Sequence, residues 1–167
     1  GSIMCAYNGL YSVPACARKL ALARLTLATR PGKAALATGT ILFYDNAKMD
    51  VGHYGAIFER IKAGLRKRRI TRFRDHRESI RGKTSADIDA MAQSFSEMNV
   101  CAAVIGLADM GVSPAMVALT VAMEKLGIPT VCLTAGPGSQ LSVAHAHYRA
   151  GALCLIPFDI YHASDRT

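Results

Sequence analysis

The stretch Val100–Val131, VCAAVIGLADMGVSPAMVALTVAMEKLGIPTV, decides how this chain folds. Val100–Leu107 is an apolar run of strand length, suited to a strand buried on both faces. The turn Ala108-Asp109-Met110-Gly111-Val112 follows it. Ser113 then reads as a helix N-cap, with Pro114 at the first helical position, where a missing N–H costs nothing. The helix is expected to reach about Leu126, with Gly127 ending it in a left-handed cap. Ile128-Pro129 leads into a second strand, Thr130–Thr134. Strand, turn, helix and strand make a βαβ unit, right-handed by the general rule for such crossovers. The turn joins the carboxyl end of a strand to the amino end of a helix. Free N–H groups and the positive end of the helix dipole favour an anion there. A plain capped helix start has the same features, so a structural turn stays open beside a site.

Upstream, Thr40–Tyr44 reads as the first core strand and Asp45-Asn46-Ala47-Lys48 as the turn after it. A helix is expected over about Gly52–Arg68, with Ile57, Ile61 and Leu65 on one face and a basic last turn. Ile70–Phe73 reads as a short second strand. Residues 74–83 read as a polar, basic loop long enough to reach a site. Thr84 or Ser85 caps a helix that turns Ile88, Met91 and Phe95 inward. Downstream, Ala135-Gly136-Pro137-Gly138-Ser139 is a Gly-rich turn, followed by a helix to about Ala150 and a fifth strand, Leu153–Ile156, ending at Pro157.

Strands alternating with helices predict a single α/β domain: a doubly wound, mainly parallel five-stranded sheet of flavodoxin-like order 2-1-3-4-5. Ligands bind such sheets outside the strand carboxyl ends, where the chain reverses between strands one and three. The expected division is an N-terminal helical extension over 1–33, the α/β domain over 34–158 and a tail over 159–167. Ala15–Thr29 is an Ala/Leu-rich helical pattern whose leucines do not fit one narrow face, which predicts a lid, a packing layer or a contact between copies.

The chain has 167 residues, 51% of them hydrophobic, enough for a real core. No run approaches the ~20 apolar residues of a membrane span, and no targeting segment is apparent, so a cytoplasmic protein is expected. The five cysteines, Cys5, Cys16, Cys101, Cys132 and Cys154, form no CxxC pair and read as reduced thiols. Three of them lie in apolar strands, where Cys packs as a small hydrophobe. His145 and His147 lack a cysteine pair at zinc spacing, so no metal site is expected. The net charge is +8, and nine lysines and arginines fall within Arg66–Lys83. With no nucleic-acid-binding motif present, a solvated face or a site for an anionic ligand is expected rather than nucleic acid.

Three segments carry a resemblance: LFYDNAKMD (Leu42–Asp50), GLADMGVSP (Gly106–Pro114) and MEKLGIPTV (Met123–Val131). Together they resemble the UGSC-type proteins, which are similar to the selenoprotein B subunits of glycine, sarcosine and betaine reductase. The likeness covers about Ala34–Pro157. The family motif reads Asp, selenocysteine or cysteine, then Gly-Ser-Cys. On this chain Asp109 and Gly111 match, Met110 stands at the selenocysteine or cysteine position, Val112 at the Ser and Ser113 at the second Cys. A thioether forms no thiolate and a hydroxyl forms no selenenyl sulfide, so thiol redox chemistry is not expected.

The resemblance implies an enzyme with altered, non-thiol chemistry on a small organic acid or amine. Asp45 or Asp109 would act as acid or base and Lys48 as a clamp or amine. Ser113 and nearby N–H groups would hold a carboxylate or oxyanion. Asn46, Met110, Gly111, Val112, Gly136, Gly138, Ser139 and His147 would line the substrate site. Turn capping for Asp109 and a surface position for Lys48 remain open. A non-catalytic or regulatory subunit of a two-component enzyme is the second reading, and a binder of nucleotide or acyl-CoA phosphates the third. The third lacks both a P-loop and GxGxxG. No motif names a cofactor. A homo-oligomer or a homologous second subunit is the expected partner, because Ala15–Thr29 carries more apolar surface than one helix face needs.

Overall fold

The computed structural model describes residues 31–47, 54–108, 111–135 and 154–158. In chain order these form α1 (Lys33–Thr38), β1 (Thr40–Asp45), α2 (Tyr54–Arg66), β2 (Phe73–Arg77), α3 (Ser85–Glu97), β3 (Val100–Ala108), α4 (Ser113–Lys125), β4 (Thr130–Ala135) and β5 (Cys154–Phe158). The strands lie in the spatial order β2-β1-β3-β4-β5, with every neighbouring pair parallel. The chain is thus an α/β protein with a parallel sheet. The first four strands carry the described core, and β5 joins β4 through a backbone ladder from Val131↔Cys154 to Ala135↔Phe158.

Alternation along the strands sends side chains to two separate cores. Leu42, Tyr44, Ala103, Ile105 and Cys132 face α3 and α4, where they meet Ile88, Met91, Phe95, Met116, Leu119 and Met123. Ile41, Phe43, Leu107 and Leu133 face the other way, against Phe58, Ile57, Ile61 and Leu65 of α2 and Leu36 of α1. Helices therefore cover both faces of the sheet. The inward residues expected for α2 and α3 are the ones that pack.

α2 also buries Lys62, whose amine bonds Glu59 Oε1 at 2.8 Å and Asp75 Oδ1 at 2.6 Å and stands 5.0 Å from the centre of the Phe43 ring. Burial alone pulls the ammonium pKa down. The bonds to Asp75 and Glu59 outweigh it and hold the pKa above the ordinary lysine value.

Several boundaries depart from expectation. β2 is Phe73–Arg77, not Ile70–Phe73. Ile70 is buried against the α2-side core but precedes the ladder. FRDHR lies at the edge of the described sheet, where charged side chains are compatible with pairing and discourage further strands. Residues 73–77 are therefore strand, and the loop shortens to 78–84. α1 is a six-residue helix where the sequence showed only the Pro31-Gly32 break. The N-cap of α4 is Val112, which makes no side-chain cap bond; Ser113 is the first helical residue and Pro114 the second, one position later than expected. Gly127 does take the left-handed conformation (φ 80°) just beyond α4. β5 runs through Pro157 to Phe158, as a strand at the edge of the described sheet tolerates. The expected helices over Ala15–Thr29 and Ser139–Ala150, and the 159–167 tail, lie outside the described residues.

α4 is buried nearly all round. Near its carboxyl end the buried Glu124 accepts a bond from the Thr130 N–H at 2.7 Å, joining the helix to the start of β4. α3 begins with a full capping box. The Thr84 hydroxyl accepts from the Asp87 N–H, and Asp87 accepts from the Thr84 N–H. Thr84→Ala is expected to cost about 1 kcal/mol, read as a lower urea midpoint with unchanged slope. The bonds from Thr84 hold the Asp87 carboxyl below its ordinary range. Its contribution is therefore present above the unfolded-state pKa and lost as pH falls through the folded one. Stability should drop more steeply on acidification in the parent than in Asp87→Asn. Parallel acid-denaturation curves for the two proteins would disprove this.

Candidate functional site

The carboxyl ends of β1 and β3 are adjacent, with Asp45 opposite Gly106 in the ladder. Just beyond, the Asn46 N–H donates to Gly106 O at 2.8 Å and the Asn46 amide donates to Leu107 O at 2.5 Å. The β3–β4 register shifts between Ile105 and Ala108. The buried Asn46 side chain supplies a donor to β3 at that irregularity. Its first task is thus to tie the two strand ends together.

Asp45 is also engaged. One oxygen accepts from the Ala47 N–H at 2.9 Å, and the other lies 3.5 Å from Arg77 Nε. Ala47 itself has φ 53°, so this carboxylate bond supports a tight left-handed turn. Beyond β3, Gly111 (φ 89°) and Val112 lead into α4. Val112 and Ser113 are both buried, so neither side chain is open to solvent.

The loop after β2, shorter than expected, still reaches this turn. Tyr44 OH donates to Glu78 O at 2.7 Å, Glu78 N–H donates to Asp45 O at 3.0 Å, and Ile80 is buried in the α3–α4 core. Arg81 is thereby carried over Gly111: a Cβ on that glycine would lie 3.8 Å from Arg81 Nη2. The guanidinium is exposed and has no ion pair among the described residues.

A second polar group sits beside the loop. Glu78 accepts from Lys83 Nζ at 2.5 Å and pairs with His76 Nε2 at 3.0 Å. Lys83 first, then His76, holds the Glu78 carboxyl below its ordinary range. His76 stacks on Tyr44 with ring centres 5.8 Å apart and meets Phe95 edge-on at 5.0 Å. Burial, reinforced by the carboxylates of Glu78 and Asp45, pushes the Tyr44 phenol far above its usual range. It therefore remains a neutral donor.

Asp45, Asn46, Gly111, Val112 and Ser113 are thus gathered at one end of the sheet. Lys48, Asp109, Met110, Gly136, Gly138, Ser139 and His147 lie outside the described residues. Sequence reasoning missed Arg77, Arg81 and the His76–Glu78–Lys83 group. The one signal for them was the density of charge after Phe73. Cys132 packs in the α3–α4 core, and burial pushes the Cys101 thiol up, away from nucleophilic use. Among the described residues no cluster of three or more His, Cys, Asp or Glu could hold a metal ion, and no helix is long and apolar enough to cross a membrane.

Fold and geometry together define a parallel α/β protein in which the carboxyl ends of β1 and β3 lie side by side, the place where open parallel sheets hold ligands in a crevice. No family profile, curated protein or solved structure matches the chain.

Proposed function

We propose that the chain is a flavodoxin-like, UGSC-like cytoplasmic enzyme that transforms a carbon–heteroatom bond of a small organic acid or amine without thiol chemistry. The observation that carries the binding half of this reading is Arg81 over Gly111. A guanidinium beside the amino end of α4 adds positive charge to the positive end of the helix dipole, an arrangement an anion would relieve. A substrate carboxylate would bridge Arg81 and the positive amino end of α4. Asp45 with Arg77, and Asp109 with Lys48, are the acid–base groups proposed around it. Met110 and Ser113 in place of the family's redox residues favour a second reading, a regulatory subunit that binds the same class of ligand. In either case the chain would work as a homo-oligomer or beside a homologous subunit.

The test is a thermal-shift panel of small carboxylates and amines. Arg81→Ala is expected to weaken carboxylate binding by about tenfold or more, the loss of one charge-assisted pair. Because Arg81 is exposed, the melting temperature without ligand should hardly change. Unchanged carboxylate affinity in Arg81→Ala would remove the crevice as the anion site. Turnover by the parent, abolished in Asp109→Asn with binding retained, separates the enzyme from the regulatory subunit.

A further inference from the structure

The basic residues of the chain do not all serve that crevice. α2 runs back from the carboxyl end of β1, so the segment Arg66–Arg72 lies at the amino ends of the strands. Lys67, Arg68, Arg69, Arg72 and Arg74 are all exposed there. None of the five has an ion pair among the described residues. The nearby carboxylates are occupied: Asp75 bonds Lys62, and Glu59 is shared by Lys62 and Arg66. Arg66 also lies over the Phe73 ring at 5.4 Å, so that ring is covered. Arg72 donates to Thr38 O at 3.1 Å, which fixes the segment against the end of α1.

We infer that this edge of the sheet is a docking surface for the phosphodiester backbone of duplex nucleic acid. Five uncompensated cations on one short segment give a local charge that a chain of phosphates matches by releasing its counterions. No sequence motif is needed for such contacts, because phosphate contacts position and do not specify. Lack of a recognition motif in the sequence therefore does not exclude this mode. No free aromatic ring stands among the five, which argues against stacking on single strands. Leu126 is the one exposed large hydrophobic side chain among the described residues, which argues against insertion into a lipid surface.

The experiment is fluorescence anisotropy of the full chain with a labelled duplex of mixed sequence. Binding is expected in the range of about 1–100 µM, with a log–log salt slope of about −4.5 for five phosphate contacts. Lys67→Ala/Arg68→Ala should weaken binding by about tenfold at low salt and lower the slope by about 2. Arg74→Gln should lower the slope by about half as much. Lys125→Glu makes the same change in net charge as the double variant, on the face of the sheet opposite α2, and should bind as the parent does. Equal weakening by Lys125→Glu and the double variant would reduce the effect to net charge and overturn the proposal. So would absence of binding at low salt, tighter binding to single strands, or vesicles rich in phosphatidylserine binding as tightly as the duplex.

Discussion

Phe95→Ala is expected to lower stability by about 3–5 kcal/mol, the cost of removing a large aromatic side chain from a site that cannot collapse. Phe95 is fully buried near the end of α3. It meets Tyr44 edge-on at 5.9 Å and His76 at 5.0 Å, so its ring packs both β1 and β2 against the helix. Against a total stability of about 5–15 kcal/mol, such a loss leaves a marginal protein. Urea unfolding should show a much lower midpoint with the slope unchanged. Phe95→Leu keeps most of the apolar volume and should recover more than half of the loss. The effect should also reach the crevice. Tyr44 bonds Glu78 O, and Glu78 begins the loop that carries Arg81 to Gly111. A loss below about 1 kcal/mol would mean that the α3 face is not the packed core described here.

The sequence made the centre of the fold readable because buried parallel strands are apolar on both faces. Thr40–Tyr44, Val100–Leu107 and Thr130–Thr134 stand out for that reason, and their observed bounds differ from those by one residue at the carboxyl end. β2 was misplaced because it lies at the edge of the described sheet. Its partner on one side is β1 alone, so FRDHR needs few apolar residues, while Ile70 is apolar because it fills the α2-side core before the ladder begins. The cap of α4 was misread because Ser113-Pro114 fits a capping pattern, yet the helix begins one residue earlier and buries the serine.

The site was legible only as a place. Strand order brings Asp45–Asn46 beside Gly111–Ser113, and that order follows from the alternation of strands and helices. The roles were not legible, since they depend on what lies across the gap. Asn46 reads as a turn residue in sequence; its bond to the carbonyl of Leu107, sixty-one residues on, exists only in the fold. Arg81 reads as one of nine cations, and only the anchoring of Ile80 and Glu78 selects it to face Gly111.

Asn46→Ala is expected to impair both the fold and the crevice. Leu107 O can only accept, so the group facing it at 2.5 Å is the amide NH2 of Asn46. Removing that donor from a buried carbonyl, at a side chain 3% exposed, should cost about 1–3 kcal/mol. The end of β1 would also lose its side-chain tie to β3. The turn holding Asp45 would then be less well fixed against the start of α4, and carboxylate affinity should fall with stability. Asn46→Asp sharpens the test. It keeps the volume but sets a carboxylate oxygen against a carbonyl oxygen, so at neutral pH it should be at least as damaging as alanine. Protonation restores a donor, so the Asn46→Asp deficit should shrink as pH falls through the raised pKa of that carboxyl. Arg81→Ala supplies the contrast, losing affinity while keeping its melting temperature. If Asn46→Asp is as stable as the parent at neutral pH, the amide does not clamp the two strands. If Asn46→Ala is destabilised yet binds carboxylates as tightly as the parent, the clamp is real but the ligand does not depend on the β1–β3 junction.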